Sequence, residues 1–328
     1  MTDLERRYLR LLGAYPADYR RSRGAEIVGT YLDLARPDQR WPSGADVADL
    51  VRGGLRQRLR AAGAADLLPG VRLAAVLAFL TATALATAWS LLELRPAPAG
   101  LGVPTAGPFV SLGIGVWVAW LLVAVVHALA PGRWARRAVA SAVLLTVALV
   151  PAAALVDLPR PPLFVLVPQV ALGLIALGLP DALPASLRAV PLIAVGVVAA
   201  AGTNLHLLPP GTFGGSYHGW TAVPVLPGAA VALLAVTLLL AAGLALRADH
   251  RGVWATLVLL TPIGLLALQP LAATVDGVGM TVAVWSELAA TAVVIGVVGP
   301  ALLPLALVLR GRRARAARRP APCPTCGR

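Results

Sequence analysis

Between residues 71 and 309 the chain returns eight times to apolar stretches that reach or approach the length of a bilayer-crossing helix, about 20 residues. Hydrocarbon supplies no partner for a backbone N–H or C=O, so each stretch must satisfy its own peptide groups, which a helix does. Only 13% of the residues are charged and 58% are hydrophobic. Soluble domains carry about a quarter charged residues. The expected class is an all-α, polytopic membrane protein with about eight spans, a small N-terminal cytoplasmic helical domain (1–66), a membrane domain (71–309) and a basic tail (310–328).

The spans are expected at 71–94, 109–130, 138–156, 163–179, 189–208, 225–246, 253–273 and 280–309. The third and fourth are short and bounded by prolines, so a single re-entrant pair is the alternative. All 28 basic residues are arginine. All but Arg95 and Arg160 fall at or before Arg72, in alternate connections or after the last span. Arginine accumulates on the cytoplasmic side, so both termini are expected there, in a bacterial cell membrane. No short apolar run follows a basic start, so the first span is expected to act as the insertion signal.

The absence of lysine removes chemistry. A phosphate-binding P-loop needs its lysine, and Schiff-base catalysis needs an amine. No H-E-x-x-H or G-x-S-x-G pattern occurs either. The chain is not expected to be an enzyme.

Residues 1–66 read as three short helices. Thr2 with Glu5, and Ser43 with Asp46, have the spacing of N-terminal caps. Pro16 separates the first two helices and is tolerated in a first turn. Gly24 lies inside the second, where it costs helix stability and is expected to mark a close crossing. Arg52, Arg56, Arg58 and Arg60 crowd the third helix just ahead of the membrane. There they suit anionic lipid headgroups, at about 1 kcal/mol each. No groove-reading motif accompanies them, so no direct nucleic-acid binding is expected.

Tyr8, Leu11, Leu12, Tyr15, Pro16, Arg20, Gly24, Glu26, Leu32 and Asp33 make a pattern, LLxxYPxxxRxxxGxE, that resembles the N-terminal prefix of many actinobacterial membrane proteins. That prefix is related to permease-prefix and HAAS-type helical modules. HAAS-type modules are associated with PadR-like winged-helix regulators. The resemblance covers about 60 residues. It implies a signalling or regulatory protein whose head docks a cytoplasmic partner, a PadR-like regulator or an ATPase, through Tyr15, Pro16, Arg20, Gly24 and Glu26. The alternative is a transporter or ABC-type permease subunit that lacks its own ATPase. Homo-oligomers fit either reading.

Other candidates stand outside the head. Glu93, Asp157, His206, His218, Trp220, Asp276 and Glu287 are expected on the outer face. Trp220 suits the membrane interface in a glycine-rich loop. Glu287 is placed at the outer end of the last span, because the residues after it already suffice to cross. Gln169 is expected to make an interhelical hydrogen bond. Cys323 and Cys326 form one C-x-x-C knuckle, half of a four-ligand zinc site. An unliganded tail, a zinc shared between two chains and a redox pair remain open for it.

Overall fold

The computed structural model describes residues 2–36, 38–94, 105–203, 217, 222–276 and 285–317. Among them the protein is helical, with one isolated bridge between Ala106 and Phe109. The chain divides into two units, Met1–Leu67 with Leu303–Arg328, and Leu68–Leu302.

The first unit holds α1 (Asp3–Leu11), a 3-10 turn (Leu12–Ala14), α2 (Ala17–Leu34) and α3 (Gly44–Ala61). Both expected capping boxes are present, at Thr2–Glu5 and Ser43–Asp46. A small core of Leu4, Tyr8, Leu12, Tyr15, Val28 and Leu50 joins the helices. The Tyr8 hydroxyl donates to Asp46 at 2.9 Å and the Tyr31 hydroxyl to Asp49 at 2.6 Å, tying α1 and α2 to α3.

The close crossing is not at Gly24. A Cβ there would meet only Leu12, at an ordinary 3.5 Å. The tight approach is at Gly53 and Gly54 of α3. A Cβ on Gly54 would stand 2.6 Å from the Ala14 Cβ and 2.8 Å from its carbonyl carbon.

The second unit holds α4 (Leu67–Glu93), α5 (Gly113–Leu129), α6 (Arg133–Val156), α7 (Leu163–Ala176), α8 (Ala185–Thr203), α9 (Ala222–Ala245), α10 (Arg251–Leu266), α11 (Leu268–Asp276) and the first part of α12 (Trp285–Ala317). Each of the eight apolar stretches thus contains at least one helix among its described residues. Five of these helices are long and apolar enough to cross a membrane: α4, α6, α8, α9 and α12. α5 and α7 are shorter. The expected seventh span is a pair of helices, α10 and α11, bent by 72°. Pro270 explains the break. It has no N–H to give the Leu266 carbonyl, and its ring crowds that carbonyl.

Contacts at the helix ends order the passes. At one end, Gly70 of α4 lies against Trp254 and Arg251 of α10, and Gly178 lies against Ala75 and Val71. Arg136 pairs with Asp181 at 2.7 Å at that same end. At the other end, the Val110 N–H donates to the Glu93 carbonyl and the Leu112 N–H to that of Pro159. Gly202 of α8 meets Leu91 there. Successive helices therefore run antiparallel. α4 is the central one, with 72% of its apolar window buried, whereas that of α12 has none.

Candidate functional site

The central helix carries polar groups at positions where apolar ones would pack more cheaply. Phe79, Ala82, Trp89 and Glu93 fall on one side of α4, because steps of three, four and seven residues return to the same face. Polar side chains from α5, α7 and the connections meet this face.

Glu93 closes it. Sequence reasoning places Glu93 on the outer surface, but the structure buries it completely. Its Oε2 accepts the Ser111 N–H at 2.7 Å, and its Oε1 accepts the Ser111 hydroxyl at 2.5 Å and the Tyr217 hydroxyl. Tyr217, itself 3% exposed, accepts the Trp117 indole N–H at 2.7 Å. Ser111 also accepts the Gly113 N–H at 3.0 Å. Trp89 packs on Tyr217 and Trp117, with ring centroids 5.7 and 6.5 Å away. One carboxylate thus gathers three neutral donors. It ties Tyr217 and the segment entering α5 to the end of α4.

Farther along, the Gln169 side chain is buried and its amide donates to the Ala82 carbonyl at 3.2 Å. That is the interhelical bond expected of it. The Gln169 side-chain oxygen has no partner among the described residues. His127 of α5 is 1% exposed and lies edge-on to Phe79 at 5.0 Å. Its Nδ1, and the Trp89 indole N–H, likewise lack partners among the described residues. Buried polar atoms of this kind are rare in folded proteins, where most find a partner.

The head offers a different kind of site. A groove of about 470 Å³ runs along α1 and α2, floored by Leu12, Gly24 and Val28, with Glu5 and Arg20 among its lining. A second recess, lined by Tyr15, Pro16, Arg20 and Arg58, adjoins it. Arg20 therefore serves both. Tyr15 and Gly24 are buried, while Glu26 is exposed and pairs with Arg23 at 3.4 Å. Arg58 donates to the Ala14 and Gly13 carbonyls at 2.6 Å each, closing the 3-10 turn onto α3. Arg52, Arg56 and Arg60 are exposed. Burial and then Asp46 push the Tyr8 hydroxyl up to about 12. Burial works against ionised Asp46, yet hydrogen bonds from Tyr8 and Ser43 hold its carboxyl below the ordinary value.

Glu287 sits in the first turn of α12, half-buried, where the helix dipole favours an acid. His206, His218, Trp220, Cys323 and Cys326 lie outside the described residues. No group of three metal-ligating side chains occurs among the described residues.

The Glu93 cluster had no local signal. Glu93 precedes Leu94 and Arg95, so it reads as the solvated end of a span, and its donors come from 18 and 124 residues away. Comparison of the chain with protein-family models, curated proteins and solved structures finds no match.

Proposed function

We propose that the chain is a regulatory membrane protein, in which eight spans carry a cytoplasmic head that docks a protein partner. The observation that carries this reading is the head itself. It has its own core and caps, yet it leaves a groove along α1 and α2 whose floor is apolar and whose rim holds Glu5 and Arg20. A groove of that make suits the apolar face of an amphipathic helix. A domain of about 60 residues buries little of its surface and gains stability from a bound partner. The likeness of the 1–66 pattern to the permease-prefix and HAAS-type modules favours a winged-helix regulator as that partner.

Gly29 gives the test. It lines the groove, and a Cβ on it would meet nothing within 4 Å. Gly29→Leu therefore fills the groove without disturbing the core. Full-length protein isolated from native membranes should bring down a cytoplasmic partner in fixed proportion, and Gly29→Leu should lose it. A partner retained equally by Gly29→Leu and by a chain lacking residues 1–40 would refute docking at this groove.

Transport is the second reading, and one observation favours it. An acid buried in the membrane unit, held by neutral donors, is the kind of group that marks a substrate or ion path. Recovery of an ATPase with the head, together with loss of function in Glu93→Gln, would move the assignment to transport.

A further inference from the structure

The face of α4 opposite the polar one borders a cavity of about 500 Å³ shared with α8 and α9. That volume lies in the range of about 300–1,000 Å³ typical of small-molecule sites. Small residues carve it out, with Ala84 and Ala88 on α4, Ala201 and Gly202 on α8, and Ala229 and Ala232 on α9. Among the described residues Thr81 is the one lining side chain with a polar atom, and its hydroxyl proton goes to the Leu77 carbonyl at 2.9 Å. The described lining therefore offers an occupant no free hydrogen-bond donor and no charge. Val197 and Val236 at the margin are exposed, so the cavity opens sideways, out of the helix bundle.

Depth identifies what lies on that side. All three helices are long and apolar enough to cross a bilayer. On α4 the lining runs from Leu77, near the middle of the helix, to Ala88, close to its Glu93 end. That is about 16 Å of helix, roughly half of a hydrocarbon core about 30 Å thick. The α8 lining lies toward the Gly202 end and the α9 lining toward the Val225 end, which is the same half. The close contact of Gly202 with Leu91 narrows the cavity at the Glu93 end.

We propose that this cavity is a binding site for one acyl chain of a bilayer phospholipid, drawn from the leaflet on the Glu93 side. The site is shaped to one leaflet's depth, and its described lining is apolar but for Thr81. It rests on the membrane-spanning assignment of α4, α8 and α9.

The test uses the full-length protein in phosphatidylcholine vesicles that contain a phosphatidylcholine with a photoreactive acyl chain. Labelled residues are mapped by mass spectrometry. Label should concentrate on the cavity faces of α4, α8 and α9 and saturate at one lipid per chain. In Ala232→Phe the ring occupies the space of the chain, and cavity label should fall at least about tenfold. Label on the exposed α12 residues Val294 and Val297 should stay unchanged. Ala84→Phe fills the cavity from another helix and should give the same loss, which guards against one variant failing to fold. Equal label on the cavity and on α12, indifferent to both variants, would overturn the proposal. Label from a free photoreactive fatty acid but not from the phospholipid would overturn the choice of lipid. Absence of label from cavity and α12 alike would defeat the spanning assignment as well.

Discussion

Single residues decide how the head holds together. Gly54 has no room for a side chain, because the Ala14 backbone, which cannot swing away, stands where its Cβ would go. Gly54→Val should destabilise the head by about 1–3 kcal/mol, the usual cost of overpacking. Gly29→Ala should be neutral or stabilising by up to about 1 kcal/mol, since that site is open and alanine prefers a helix. Urea or thermal unfolding followed by helical circular dichroism separates the two. The pH response follows from Tyr8. Its folded pKa, about 12, is raised above the ordinary 10.0. The Tyr8 contribution is therefore fully present below pH 10.0 and is lost as pH rises through about 12. Asp46 works in the opposite direction, since its lowered pKa adds stability that fades as the solution becomes acid. Tyrosinate absorbance should show Tyr8 still protonated near pH 10.0, where an ordinary tyrosine is half ionised, and Tyr8→Phe should leave the absorbance near pH 10.0 almost unchanged. A clear drop there would mean that Tyr8 titrates normally.

At the scale of elements, hydropathy finds the helices because lipid leaves an apolar chain few other choices. It does not show how they meet. Gly24 and Gly54 look alike in sequence, and only the fold makes one a groove floor and the other a crossing point. Pro262 and Pro270 look alike too. The first sits inside α10 while the second breaks the pass, because neighbouring helices decide how a lost hydrogen bond is absorbed. The burial of Glu93 is not legible because its partners are distant in sequence, whereas the Thr2 and Ser43 caps are legible because theirs lie three residues on. α12 shows the same dependence on context. Its apolar window is wholly unburied, yet Gly299 abuts Thr261 of α10, with a would-be Cβ 2.1 Å from the Thr261 hydroxyl oxygen. Gly299→Val should therefore lower the melting temperature of the detergent-purified protein. Val297→Ala, on the exposed side, should move it little, since substitutions away from packed features usually stay within about 0.5 kcal/mol. Equal shifts for both variants would mean that α12 is not anchored at that contact.

For the whole molecule the number of membrane passes turns on α7. α7 has 14 residues, or about 21 Å of helix, against a hydrocarbon core of about 30 Å. Length alone would make it a re-entrant segment, which would leave an odd number of crossings. The end contacts argue otherwise. The Pro159 carbonyl, just before α7, accepts from Leu112 at the Glu93 end of the unit. Asp181, just after α7, pairs with Arg136 and packs on Gly132 at the opposite end. The chain therefore passes from one end of the unit to the other between residues 159 and 181, with extended flanks adding reach to a short helix. The arginines agree, since Arg136 and Arg188 bracket this end while Arg160 stands at the other. Reporter fusions placed after residues 66, 131, 159, 183, 215 and 328 should read inside, inside, outside, inside, outside and inside. Fusions at 159 and 183 that report the same side would make α7 re-entrant. A carboxyl end that reports outside would then follow, and the arrangement of eight spans with both termini in the cytoplasm would fall with it.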